Sequence, residues 1–168
     1  VIGRGFHQHA GHAHAEVNAL ADAGGDVAGA KVYVTLEPCA FVGRTPACAQ
    51  TLIDAKVGRV VVATQDPHPQ VAGKGFQMLR DAGIEVVEFD LPEAQQMIAG
   101  FVSRITRTRP LVQLKIASTM DGRIATSKGE SKWITGQQAR RRAHLMRAES
   151  DAVLIGIGTA CTDNPNLT

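Results

Sequence analysis

The sequence has little excess charge, few cysteines and no long apolar run. Its 168 residues carry 18 basic and 16 acidic side chains, and the net charge of +2 is too small by itself to indicate a nucleic-acid partner. No apolar run approaches the ~20 residues of a membrane span, and no secretory signal opens the chain. Three cysteines, an odd number without a signal peptide, argue against a disulfide framework. We therefore expect a cytoplasmic protein that has no membrane or nucleic-acid partner.

The length and the apolar content allow one ordinary domain, or one domain and part of another. The apolar fraction of 44% is normal for a globular protein and is enough for a sizeable core. The chain opens without methionine on VIGRGFH, which is typical of a strand already under way, and it stops at TDNPNLT directly after an expected strand and turn. We expect it to be a piece of a longer protein that lacks both an N-terminal and a C-terminal part.

Strand-like and helix-like segments alternate over the first hundred residues. Such alternation, with helices of about ten residues, is typical of a layered α/β domain. The predicted helices cover residues 14–23, 46–57, 73–83 and 92–107, and the predicted strands cover 31–38, 59–67 and 84–90.

A second α/β unit follows a break at RTRP, and we place the boundary near Arg109 and Pro110. The proposed domains are residues 1–108 and residues 109–168. In the second unit, LVQLKIASTMDGRIA predicts a long strand, or two strands bent at the turn signal Asp121-Gly122. A helix is predicted at 136–150 and a strand at 151–159.

One histidine and two cysteines form an incomplete tetrahedral ligand set for zinc. His14 is followed two residues later by Glu16, and Cys39 comes directly after a proline and a strong strand. The zinc deaminase signature is H-x-E followed by P-C-x-x-C, but here eight residues separate Cys39 from Cys48. Residues two apart do not share a helix face, so His14 and Glu16 converge only at an irregular helix start.

Spacing alone therefore leaves two interpretations open. A catalytic site keeps its fourth position for water, whereas a structural zinc module fills it with a protein ligand, for which His12 and His7 are the candidates. A nucleic-acid base deaminase, such as a tRNA adenosine deaminase, is a third hypothesis. It requires a basic groove and the short cysteine gap, and the sequence has neither.

Several longer motifs resemble one family in order and spacing. The stretches GFHQHAGHAHAEVNAL, TLEPCAFVGRTPACA and DPHPQVAGKGFQMLRDAGIEV are similar to the deaminase domain of the bifunctional deaminase/reductase family of riboflavin biosynthesis, the RibD family. The stretches KIASTMDGRIATSKGESKWIT and GIGTACTDNPNLT resemble the start of its reductase domain. The resemblance implies a cytidine-deaminase-like layered α/β domain followed by the start of a dihydrofolate-reductase-like α/β domain.

The resemblance also implies the roles of residues in the deaminase domain. His14, Cys39 and Cys48 bind Zn²⁺, and Glu16 is the catalytic proton shuttle for the deamination of 2,5-diamino-6-(5-phosphoribosylamino)pyrimidin-4-one. His7 and Arg44 contact this substrate, with Arg44 suited to its phosphate. Phe41 departs from the family, which usually has histidine there, so another group takes over that contact or the pocket differs.

For the second unit the resemblance implies an NADPH-dependent reduction of the ribosyl side chain to ribityl. We expect this step only in the full-length protein. The resemblance is also compatible with a homo-oligomer. The residues implied at the NADP site are Ala117, Trp133, Thr159 and Asp163, and those implied at the phosphorylated substrate are Ser131, Arg147 and Leu167.

Overall fold

The computed structural model describes residues 1–167, which divide into two compact units. The first runs from Val1 to Leu111 and the second begins at Val112.

The first unit alternates helices and strands as its sequence predicts, but the elements are shorter, and two helices occupy the range of the single helix predicted at 92–107. Helix α1 ends at Gly24, whose left-handed conformation (φ 64°) suits glycine and closes the helix. The elements are α1 (Ala15–Ala23), β1 (Lys31–Val34), α2 (Cys48–Asp54), β2 (Arg59–Val62), α3 (Lys74–Asp81), β3 (Glu85–Glu88), α4 (Pro92–Met97) and α5 (Ala99–Arg107).

The three strands form a parallel sheet in the order β1-β2-β3, which the helical connections between successive strands allow. The central strand β2 turns alternate residues, Val60 and Val62, into the core. These two valines pack with Leu52 of α2 and with Phe76 and Leu79 of α3. The core therefore lies between β2 and helices α2 and α3, and it anchors the helix start that carries Cys48.

The opening segment was predicted to be a strand, and this prediction is wrong. Residues 1–7 contain no strand and instead lie against the backbone of α1. A Cβ atom at Gly3 would lie 2.3 Å from the carbonyl oxygen of Ala19, and one at Gly5 would lie 2.2 Å from that of Ala15. The two glycines thus allow a close approach to a helix, a contact that alternating β-like composition does not reveal.

The second unit contains helices α6 (Gln137–Ala148) and α7 (Ile157–Asp163). The helix at 136–150 is confirmed, as is the turn at Asp121-Gly122, where the amide of Gly122 donates to the carbonyl of Thr119. The strands predicted from LVQLKIASTMDGRIA and at 151–159 are wrong, because no strand occurs in residues 112–167. A strand requires a partner for its backbone hydrogen bonds, and these two segments do not pair with each other.

None of the helices in residues 1–167 is long and apolar enough to cross a membrane.

Candidate active site

His14 lies at the N-cap of α1, outside the helix itself. Its backbone is extended (φ −71°, ψ 166°), whereas Glu16 belongs to the first turn of the helix. The side-chain amide of Asn18 donates to the carbonyl oxygens of Phe6 (2.8 Å) and Ala13 (3.3 Å), which ties the preceding loop to α1. The structure therefore has the irregular helix start that allows His14 and Glu16 to converge.

The two cysteines meet because a loop after β1 returns to the first residue of α2. Cys48 begins α2 and is fully buried, and Cys39 is half-buried. The backbone N–H of Cys48 donates to Sγ of Cys39 at 3.2 Å, and that of Ala49 donates to the carbonyl of Cys39 at 3.1 Å. These two backbone donors at the start of α2 fix the position of Cys39, and the N–H of Cys48, which bonds to the sulfur itself, favours the thiolate.

His14, Cys39 and Cys48 form one cluster of ligand atoms that all lie within 4.8 Å of one another. Nδ1 of His14 is 3.1 Å from Sγ of Cys48 and 3.7 Å from Sγ of Cys39. Ligand atoms at ordinary zinc bond lengths in a tetrahedral site are about 3.5–3.8 Å apart. One imidazole nitrogen and two sulfurs at these separations therefore fit zinc in both chemistry and spacing.

The pKa values of the two thiols in the cluster are shifted in opposite directions. The hydrogen bond from Cys48 lowers the pKa of Cys39 to about 6, against the opposing effect of burial. The same hydrogen bond raises the pKa of Cys48, and burial and the negative charge of Glu16 raise it further. Cys39 is therefore the thiolate that is ready to bind a metal. Cys48 must lose its proton when both sulfurs bind the metal.

Glu16 lies beside the cluster without belonging to it. Its carboxylate is close enough to Cys48 to raise the pKa of that thiol by charge and by a hydrogen bond. Within residues 1–167 the cluster of ligand atoms contains neither Glu16 nor His7 or His12. The arrangement is therefore three protein ligands with a carboxylate next to them, which is the pattern of an open zinc site.

Thr45 lies on the far side of the His14 ring. Its hydroxyl is 3.5 Å from Nε2 of His14, while Nδ1 of that ring faces the cysteines. A metal-binding histidine commonly bonds through its other ring nitrogen to a neighbour that fixes its orientation. Thr45 occupies that place here.

The residues around the cluster leave a cavity of about 220 Å³. His7 lies behind His14, since its ring meets the His14 ring edge-on at 5.3 Å and its Nδ1 is 3.1 Å from the carbonyl oxygen of Ala13. Arg44 and Phe41, both exposed, line the opening. The lining residues are Gly11, His12, His14, Cys39, Phe41, Gly43, Arg44 and Thr45.

Glu37 is a supporting residue that the sequence analysis did not identify. It is only 3% exposed, and its carboxylate accepts backbone N–H bonds from Gly73 (3.0 Å), Gly75 (2.9 Å), Asp66 (3.3 Å) and Phe76 (3.4 Å). These bonds connect the segment just before the Pro38-Cys39 pair to the start of α3. The sequence signal for this role was an acidic residue at the end of an apolar strand, just before the Pro38-Cys39 pair. A carboxylate that is buried there needs hydrogen-bond donors from elsewhere in the fold.

A glycine permits the same close contact. A Cβ atom on Gly75 would lie 2.0 Å from the carbonyl oxygen of Pro38, so only glycine allows α3 to approach the ligand segment this closely. The position of Cys39 therefore depends on both α2 and α3.

The candidate residues of the second unit are brought together only in part. Thr159 and Asp163 lie one turn apart on α7. Nη2 of Arg147 donates to the carbonyl of Asn166 at 2.9 Å, next to Leu167. Trp133 is 72% exposed, and its ring centroid lies 4.3 Å from the Arg140 guanidinium. Ser131 is exposed, and Ala117 lies outside helices and strands.

Two family models match the chain. Residues 1–64 match the cytidine and deoxycytidylate deaminase zinc-binding region, and residues 110–168 match the RibD C-terminal domain. The riboflavin biosynthesis protein RibD of Aquifex aeolicus is 49% identical to the chain over 169 aligned positions, which are 100% of this chain and 48% of that protein. The RibD protein of Escherichia coli is 50% identical, again over 100% of this chain and 46% of the relative.

The chain belongs to the RibD family. Among solved structures, the diaminohydroxyphosphoribosylaminopyrimidine deaminase/5-amino-6-(5-phosphoribosylamino)uracil reductase of Thermotoga maritima matches with a TM-score of 0.91 and 43% identity, covering 98% of this chain and 48% of that one. Acinetobacter baumannii RibD matches with a TM-score of 0.87 and 51% identity, over 99% and 47% of the two chains.

The chain thus spans about half the length of the RibD relatives it matches. The predicted family is confirmed, and so is the fold class, a cytidine-deaminase-like α/β domain followed by part of a dihydrofolate-reductase-like domain. The roles of individual site residues stay predictions.

Proposed function

We propose that this chain carries the zinc-dependent deaminase of riboflavin biosynthesis. The substrate is 2,5-diamino-6-(5-phosphoribosylamino)pyrimidin-4-one, and water replaces the exocyclic amine of its ring. The observation that carries the proposal is the cluster of His14, Cys39 and Cys48 with Glu16 beside it, open to a cavity. The match to the deaminase zinc-binding region and the RibD relatives support it.

The donor set of His14, Cys39 and Cys48 suits zinc, which when bound supplies a Lewis acid that makes water nucleophilic at neutral pH. Glu16 accepts the proton of the attacking water and delivers it to the leaving nitrogen, so ammonia departs rather than an amide anion. Its place beside Cys48, next to but outside the ligand cluster, suits this shuttle. Thr45 holds the His14 ring so that Nδ1 faces the cysteines.

Substrate binding is assigned to His7 and Arg44. Arg44 is exposed at the cavity opening, where a guanidinium can bind a phosphate through two parallel hydrogen bonds. Phe41 adds an apolar wall at the same opening and offers no hydrogen bond.

The second unit supplies part of an NADPH-dependent reductase that converts the ribosyl side chain to ribityl. Its match to the RibD C-terminal domain over residues 110–168 supports this assignment. The proposed domain limits are 1–108 and 109–168. The residues proposed at the NADP site are Ala117, Trp133, Thr159 and Asp163, and those proposed at the substrate are Ser131, Arg147 and Leu167. A cytoplasmic location and homo-oligomerisation of the full-length protein complete the proposal.

The deaminase proposal is tested by comparing Cys48→Ala with Cys161→Ala. Cys48 is a buried member of the cluster, whereas Cys161 is exposed in the second unit. We expect Cys48→Ala to lose bound zinc and ammonia release together, and Cys161→Ala to retain both. Zinc content is measured by elemental analysis and ammonia release with the phosphoribosyl substrate. A Cys48→Ala protein that kept full activity would refute a zinc mechanism at this cluster.

A further inference from the structure

We propose that His12 binds the phosphate of the substrate together with Arg44, and so helps to determine substrate recognition in this chain. The inference rests on the proposed deaminase function and adds a residue to which the mechanism above gives no role.

The His12 side chain is available to a ligand. It lines the cavity above the metal cluster, is exposed, and makes no side-chain hydrogen bond to any other part of residues 1–167. The backbone N–H of His12 donates to the carbonyl of His9 at 3.0 Å, which closes a tight turn. The two imidazoles of this turn meet edge-on at 5.6 Å. The backbone hydrogen bond of this turn, rather than the ring contact, places His12 at the cavity.

The Arg44 side chain lies next to the same turn. A Cβ atom built on Gly11 would be 3.6 Å from both Cδ and Nη1 of Arg44, so the arginine passes directly over the residue that precedes His12. The positive φ of Gly11 (89°) favours glycine at this position of the turn. The guanidinium and the imidazole therefore flank the same opening.

The groups at this opening favour an anionic ligand rich in oxygen. Arg44 contributes N–H donors only, and an imidazole has an N–H donor in either tautomer. Within residues 1–167 no acidic residue lines the cavity, Phe41 adds an apolar ring to the lining, and the Thr45 hydroxyl faces His14. A phosphate accepts several hydrogen bonds at once and matches this set of donors, and the proposed deaminase mechanism requires the pyrimidine ring at the cluster of His14, Cys39 and Cys48 instead.

The test compares His12→Leu with His9→Leu in the zinc-loaded chain. The two histidines are exposed partners in one turn, but only His12 lines the cavity. Loss of one hydrogen bond predicts that His12→Leu raises KM for the phosphoribosyl substrate about 3- to 10-fold, with kcat within about twofold of the parent. The dissociation constant of ribose 5-phosphate, measured by calorimetry, should rise by the same factor. His9→Leu should match the parent, and His12→Gln, which keeps an N–H donor, should recover part of the affinity.

Further measurements separate this role from its alternatives. The KM for the dephosphorylated substrate should be the same in His12→Leu and the parent, because the lost bond is to the phosphate. An unchanged KM and dissociation constant in His12→Leu, or an equal effect in His9→Leu, would overturn the proposal. Loss of zinc from His12→Leu would also overturn it, since His12 would then be a fourth metal ligand. Failure of the proposed function is distinct, because the parent chain would then release no ammonia.

Discussion

The two units of this chain differ in the hydrogen bonding of their strand-like backbone segments and in the burial of their apolar side chains. The first unit has a three-stranded parallel sheet, and side chains such as Leu52, Val60 and Leu79 are fully buried. The second unit has two helices and no strand in residues 112–167, and Leu154 is 98% exposed although the sequence there is strand-like. Similar apolar, β-branched sequences therefore formed strands only where neighbouring strands and covering helices were present.

The contrast also explains why the candidate metal cluster is well formed and the candidate NADP residues are not. Cys39 is fixed by the start of α2, and Glu37 two residues earlier is held by four backbone donors. Trp133, by contrast, is 72% exposed and touches the Arg140 guanidinium. A site requires a packed support, and only the first unit provides one within the described residues.

Hydrogen exchange gives the largest expected difference between the units. The amides of β2 bond into neighbouring strands, whereas those of residues 151–156 make no backbone hydrogen bond within residues 1–167. We expect β2 amides to exchange at least ~10³-fold more slowly than those of 151–156, because they open only with the sheet. Mass spectrometry of peptides from each segment measures the ratio. Equal protection would mean that the second unit has a packed structure of its own.

Truncating one leucine in each unit tests the difference in packing between them. Leu79 is fully buried against β2 and α2, and Leu154 is 98% exposed. Leu79→Ala should lower the free energy of unfolding by about 2–5 kcal/mol, because it removes buried contacts and leaves a cavity. Leu154→Ala should change it by less than about 0.5 kcal/mol. Urea denaturation of both variants measures the difference, and comparable losses would contradict the burial described here.

Most of the first unit could be predicted from the sequence, because local pattern and tertiary packing agree there. Helix α3 with its following Gly83, and the valines of β2, have the expected periods of a helix and of a buried strand. The candidate ligand set could be proposed for another reason, because a histidine, a proline-cysteine pair and a second cysteine are a chemical pattern rather than a structural one.

The errors occur where conformation depends on a distant partner. Residues 1–7 pack on α1 through Gly3 and Gly5, and the segment at 151–159 becomes partly helical from Ile157. Composition indicates which residues are suited to a strand but not whether a partner strand lies beside them. The role of Glu37 was missed for the same reason, because its donors come from a segment some thirty-six residues away.

The smallest of these effects concerns single arginines in the two units. Arg44 lines the cavity, whereas Arg142 is exposed on α6. Arg44→Ala should raise KM for the phosphoribosyl substrate about 10- to 100-fold, on the basis of roughly 1.5–3 kcal/mol for a hydrogen bond to a charged group. Arg142→Ala should leave KM unchanged. Steady-state assays of ammonia release measure KM for both variants. An Arg44→Ala enzyme with the parent KM would show that Arg44 is a solvated surface residue without a role in substrate binding.

The central claim is that Glu16 moves protons beside a metal it does not bind. Glu16→Gln keeps the size of the side chain but removes its basic carboxylate, so the zinc content and the fold should be nearly unchanged while deamination falls at least ~10²- to 10⁴-fold. The decisive measurement is zinc stoichiometry and ammonia release on the same preparation of Glu16→Gln. We expect full zinc content with almost no ammonia release. Loss of zinc from Glu16→Gln would show that Glu16 is a metal ligand. Full zinc content with full activity would show that Glu16 is no proton shuttle. Either result would contradict the role proposed for Glu16.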